Sequence, residues 1–263
     1  LNLAYTYNKI SIFFDFGTTG AAGGGGEFWF DDVTFTGDSG GGGGGGGPIV
    51  FASGYASNKR TVEGGEWGFY SGNFTSYANT YAGGGFVDDT PPVAAADSYV
   101  YLVVTTSAPT TDGFMGIYTF APGSTGAAPN AGVSLVGKAQ MKIEIGVAAE
   151  WFQQAANKNL IVRLIGAEEF SNGAGGFCRI LLDFSLAPSS ANLTEYTISL
   201  DSFTLAQPCN GGGFTSGVST LAQALARPIG EVHVQAVFPQ VNTTVLAGAE
   251  YPTGFTRGSV TFE

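Results

Sequence analysis

Charge is scarce in this chain. Only 12% of its 263 residues are Asp, Glu, Lys or Arg, against ~25% in ordinary soluble domains. No cluster of cations exceeds the pair Lys59-Arg60, and ten basic residues against 21 acidic ones leave a net charge of −11. Nucleic acid is therefore a poor partner, because phosphate neutralisation supplies most of that affinity. Histidine occurs once, as His233. It alternates with Val232 and Val234 and has no local Ser or Asp motif, which favours a structural or surface role over a catalytic base. Sequences of the GxSxG, HExxH or Walker type are missing. So is any apolar run of 18 residues, which excludes a membrane-spanning helix. The chain opens at Leu1-Asn2-Leu3 with no initiator Met and no signal-like segment, and reads as a processed product or a fragment.

Cysteine is also rare. Cys178 and Cys209 are the whole complement, and their spacing matches neither CxxC nor a zinc pattern. Both sit in or beside Gly-rich sequence. A bridge closing the thirty residues between them would stabilise the fold by roughly 3 kcal/mol on the loop-entropy model. The alternative is two free buried thiols. A bridge is the expectation, and it favours an oxidising, extracellular setting.

What the chain does contain is glycine, 42 residues without a Gly-X-Y period, so collagen is excluded. Apolar residues at 44% and aromatics at 13% are too abundant for a disordered chain. The surface must then be covered mainly by Ser, Thr, Asn, Gly and backbone. Surfaces of that kind suit extracellular proteins that face sugars or pack against their own copies.

Alternating apolar and polar runs dominate, divided by turn residues. Strands are expected at Ser98–Thr105, Gly113–Phe120, Ala139–Val147, Asn159–Ile165, Phe177–Phe184, Tyr196–Leu200 and Glu231–Phe238. Ile161, Val162, Leu164 and Ile165 are nearly continuous and should lie centrally. Ser219–Ala226, stopped by Pro228, reads as a short helix, and Ala148–Ala156 as a further helical turn. Many strands with long loops indicate an all-β antiparallel sandwich of jelly-roll form over 49–263.

Two stretches read as versions of the same closing strands. Lys9–Phe14 leads through a Gly-rich loop to Phe28–Phe35, and Gly230–Val234 leads through a similar loop to Gly258–Phe262. Eight consecutive glycines, Gly40–Gly47, lie between. The organisation is therefore a closing hairpin at 1–36, a linker at 37–48 spanning about 15–20 Å as random coil, and one whole module. A period this long lies outside solenoid repeats. A lone two-stranded hairpin is marginal in water. Ile10, Ile12, Phe13, Phe14, Phe16, Phe28, Trp29, Phe30, Val33 and Phe35 would form an aggregation-prone edge unless docked on a sheet. The module already owns an equivalent pair, so the hairpin is expected to add to another copy of the chain.

Candidate ligand sites are fewer. Asp31, Asp32, Asp88 and Asp89 are candidate calcium ligands, since calcium takes several carboxylate and carbonyl oxygens; exposed turn carboxylates are the competing reading. Asp31-Asp32 aligns with Gly258-Ser259, so a site built on it is not repeated. Glu168-Glu169 reads as part of a solvated loop. Trp67, Tyr70, Tyr77, Asn79 and Tyr81 lie in a Ser/Asn/Gly-rich context that suits sugar stacking, although core packing competes for the same rings. Asn73, Asn192 and Asn242 open formal N-glycosylation sequons.

Val50–Gly54, Glu66-Trp67-Gly68, Glu195–Phe203 and Phe30-Asp31-Asp32-Val33-Thr34-Phe35 together resemble bacterial extracellular jelly-roll modules of the carbohydrate-binding, galactose-binding-like type. That resemblance implies an eight- to ten-stranded sandwich, sometimes with structural calcium, and frequent sugar binding. The leading expectation is a non-enzymatic structural subunit of an extracellular filament or surface layer. The alternative is a polysaccharide-binding module of a larger secreted protein.

Overall fold

Alternation of apolar and polar side chains puts every second residue on one face of a strand, and here that pattern builds two sheets around one core. The structure, a computed structural model, describes residues 47–56, 59–72, 76–81, 100–106, 113–126, 132–147, 159–190, 192–238 and 253–263. Contacts divide the chain into Leu1–Gly37 and Asp38–Glu263, and the described residues all belong to the second unit. The expected hairpin at 1–36, with its assembly residues, lies outside them, as do most of the linker and the turn expected at Ala148–Ala156.

The strands are β1 (Ile49–Ala52), β2 (Tyr55–Ala56), β3 (Arg60–Thr61), β4 (Trp67–Gly72), β5 (Ser76–Tyr81), β6 (Val100–Thr106), β7 (Gly113–Phe120) and β8 (Gln140–Val147). They continue as β9 (Leu160–Ser171), β10 (Phe177–Leu186), β11 (Thr194–Ser199), β12 (Thr204–Gln207), β13 (Asn210–Gly211), β14 (Phe214–Thr215), β15 (Ile229–Phe238) and β16 (Thr253–Phe262). One sheet runs β11-β8-β16-β6-β5, with β1 also pairing β16; the other runs β12-β10-β9-β15-β7-β4. Pairing within both is antiparallel. The fold is an all-β antiparallel sandwich. Its short helix α1 (Leu221–Leu225) starts at a Thr220–Gln223 capping box and stops ahead of Pro228, which cannot continue a helix.

Met141, Ile143 and Ile145 from β8 and Val260 and Phe262 from β16 face Leu160, Val162 and Leu164 from β9, Val232 and Val234 from β15 and Ile117 from β7, all in one core. Each fully buried aliphatic of this kind contributes about 1.5–3 kcal/mol. A charged residue and the threonine it meets, Arg257 and Thr119, break the apolar pattern of this core. Arg257, 0% exposed, crosses from β16 to the opposite sheet. Its Nη1 donates to the Val232 carbonyl at 2.8 Å, its Nη2 to Thr119, and its Nε to the Tyr55 hydroxyl at 3.0 Å. Neutral oxygens, not a carboxylate, receive these donors. Tyr55 completes the link by donating to the Gly258 carbonyl at 2.8 Å.

Two expectations need correction. Glu168-Glu169 is not in a loop: β9 continues to Ser171 because Glu169, Phe170 and Ser171 pair with Arg179, Cys178 and Phe177. The turn follows at Asn172–Gly176, where Asn172 Oδ1 accepts from the amides of Ala174 and Gly176 at 2.9 Å. The closing pair is not a hairpin either. β15 lies between β9 and β7, whereas β16 lies between β8 and β6 in the opposite sheet. Both are central strands, paired along each edge.

Cys178 and Cys209 form a disulfide, S–S 2.05 Å with Cα atoms 5.7 Å apart. It ties β10 to the β12–β13 connection, whose Cys209 adopts a positive φ of 57°. No helix among the described residues is long and apolar enough to cross a membrane.

Candidate functional site

The alternation that buries Val232, Val234 and Ala236 sends Glu231, His233 and Gln235 to the outer face of their sheet. Neighbouring strands place partners beside them in register. Gly68 pairs with Tyr118, Tyr118 with His233, His233 with Arg163, Arg163 with Asp183, and Asp183 with Thr204. The adjoining row is Tyr70, Gly116, Gln235 and Ile161. Aromatic rings thus occupy the β4–β7 end of the face, and charged groups the β9–β10 end.

Two glycines set the ring positions. A Cβ at Gly116 would fall 2.3 Å from the Tyr70 ring, and one at Gly68 would fall 2.5 Å from the Tyr118 hydroxyl. Each tyrosine therefore lies across the bare backbone of the neighbouring strand. The two rings are nearly parallel, 25° apart with centroids at 6.5 Å. Tyr70 also lies 5.6 Å from the His233 ring and 6.1 Å from Phe114, and Tyr118 meets Phe120 edge-on at 5.6 Å.

Hydrogen bonds hold the polar groups. Tyr70 donates to Gln235 Oε1 at 3.0 Å, and His233 Nδ1 lies 3.4 Å from the same hydroxyl. His233 Nε2 lies 2.7 Å from Glu231, which also accepts from Arg179. Arg163 chelates Asp183 through Nε at 2.7 Å and Nη2 at 2.8 Å. Burial pushes the Tyr70 phenol up to about 12, with Arg163 opposing it, and raises Tyr118 as well. His233, 13% exposed at its side chain, is held below its ordinary value by burial, which outweighs the Glu231 hydrogen bond. Burial works to raise Glu231, but His233 and Arg179 together hold it below the ordinary carboxylate range. The Asp183 hydrogen bond raises Arg163. At neutral pH the face therefore carries two guanidinium–carboxylate pairs and a neutral imidazole.

Of the aromatics singled out in the sequence, only Tyr70 joins this face. Trp67 is 3% exposed and packs edge-on to Tyr55 in the core at 5.9 Å, so it offers no ring to a ligand. Tyr77, Asn79 and Tyr81 belong to β5 at the edge of the other sheet; their side chains lie outside the described residues. Asp31, Asp32, Asp88, Asp89, Asn73 and Asn242 also lie outside them. Asn192 is exposed just ahead of β11, and its carbonyl accepts from Thr194 Oγ1 at 3.0 Å. Among the described residues no group of three or more His, Cys, Asp or Glu could hold a metal ion.

Sequence reasoning passed over Tyr118, Arg163, Asp183 and Gln235. The available signal was a charged residue inside an apolar strand: Arg163 stands between Val162 and Leu164, and Asp183 between Leu182 and Phe184. Aromatic faces beside fixed donors and acceptors can stack the C–H face of a sugar and bind its hydroxyls. No protein-family model matches this chain, and no curated protein matches it in sequence.

Proposed function

We propose that this chain is a non-enzymatic, extracellular protein whose sandwich binds polysaccharide on the outer face of the β12-β10-β9-β15-β7-β4 sheet. The observation that carries the reading is the pair of nearly parallel tyrosines, Tyr70 and Tyr118, laid over Gly116 and Gly68 beside Gln235 and the Arg163–Asp183 pair. The strand order supports a jelly-roll form. One sheet carries the order β6-β16-β8-β11 and the other β7-β15-β9-β10, with the chain passing between sheets from β6 to β7, β7 to β8, β8 to β9 and β10 to β11. The disulfide and the weakly charged surface favour secretion. Tyr118→Ala should keep the fold and weaken binding to a soluble polysaccharide by about five- to thirtyfold, since one stacked ring contributes about 1–2 kcal/mol. Unchanged affinity would remove this face as the site.

A structural role in a filament or surface layer is favoured by a separate observation. β15 and β16 hold the central positions of the two sheets, so a second segment of the same pattern has no equivalent place left in this module. On this reading Ile10–Phe16 and Phe28–Phe35 add to another copy of the chain. Deleting 1–36 should abolish assembly and leave 49–263 folded. A full chain that stays monodisperse and monomeric at high concentration, by light scattering, would end the filament reading.

A further inference from the structure

We infer that this face selects an uncharged polysaccharide chain and turns away polyuronates. The inference rests on the sugar-binding reading and names its ligand class. Both guanidinium groups on the face already hold a carboxylate partner. Arg163 has Nε and Nη2 committed to the two oxygens of Asp183, and Arg179 is committed to Glu231, which His233 also contacts. A uronate would have to displace Asp183 from Arg163 and sit against the released carboxylate, like charge against like charge. A neutral sugar needs no such exchange. It stacks on Tyr70 and Tyr118, and its hydroxyls donate to carboxylate oxygens and accept from guanidinium nitrogens at the edges of the pairs. The shape of the face also fits a chain more than a terminal sugar. The row Tyr118, His233, Arg163, Asp183 and Thr204 crosses five adjacent strands, a span of about 19 Å at ~4.8 Å per strand.

The net charge of −11 also opposes polyanions over longer range, so the test must separate the local pairing from the overall field. The full chain is titrated calorimetrically with galactomannan, with mixed-linkage β-glucan and with polygalacturonate at low and moderate salt. Asp183→Asn is measured beside it; that variant frees Arg163 while altering the net charge by a single unit. The expected result is wild-type binding to a neutral polymer alone, and at least a tenfold gain in salt-sensitive polygalacturonate binding in Asp183→Asn. Wild-type binding to polygalacturonate as tight as to either neutral polymer would overturn the selectivity and leave the sugar reading standing. No binding to any polymer would overturn both. A folded Asp183→Asn with unaltered polygalacturonate binding would overturn the role given to the Arg163–Asp183 pair. Should Asp183→Asn unfold, Asp183→Ser takes its place, with the same gain in polygalacturonate binding supporting the inference and no gain overturning it.

Discussion

Substituting Gly116 by alanine would place a Cβ 2.3 Å from Cζ of Tyr70 and 2.5 Å from its hydroxyl, where ordinary contact begins at 3.4 Å. The ring must therefore lift by about 1 Å or swing aside. Backbone is not in the way, so the strand pairing of Gly116 with Tyr70 and Gln235 survives. What is lost is the Tyr70–Gln235 hydrogen bond, about 1 kcal/mol, and the ring contacts with Tyr118 and His233, about 0.5–1.5 kcal/mol each. Replacing a strand glycine by alanine returns roughly 0.5–1 kcal/mol of chain entropy. The net destabilisation should be about 1–3.5 kcal/mol, or a fall in melting temperature of roughly 2–14 °C. Binding to a neutral polysaccharide should fall by tenfold or more, because the stacking plane itself is gone. Calorimetric melting and titration of the same preparation read both effects. Gly116→Ala with wild-type affinity would refute the reasoning, as would a loss of stability far beyond this range.

Acid should weaken the fold in two steps. His233 is held below the ordinary 6.5 and stays neutral in the native state, so its stabilising contribution is complete above about pH 6.5 and is lost as pH falls toward the lowered native value. Glu231, held below the ordinary 4.5, adds a second loss as pH drops below that value through its own native one. Urea midpoints across this range should show both limbs, and His233→Asn should flatten the first and shrink the second, because His233 also holds Glu231 down; a fold that strengthens between about pH 7 and 5 would contradict the assignment. Reducing the disulfide, which closes a separation of 31 residues, should cost about 3.5 kcal/mol on the loop-entropy model. Alkylation without reductant, followed by intact-mass measurement, should label neither cysteine.

The strand pattern was readable because burial alternates with a period of two. Gly113–Phe120 is a strand between those very residues, and β8 lacks only Ala139 of the expected run. The disulfide partners were readable because there are only two cysteines. The length of β9 was not, since Glu168 and Glu169 look like loop residues until Arg179 pairs beside them across the hairpin. Nor was the separation of β15 and β16 into opposite sheets. Their alternation says that each has a buried face, but both sheets share one core, so either sheet satisfies the pattern equally. The outer face was hidden for the same reason. Tyr70, Tyr118, His233, Arg163 and Asp183 are drawn from five strands spread over more than a hundred residues, and only cross-strand register makes them neighbours. Local periodicity decides whether a side chain faces the core. Which distant side chains stand beside it depends on strand order and register, and those are set by long-range pairing that no window of sequence contains.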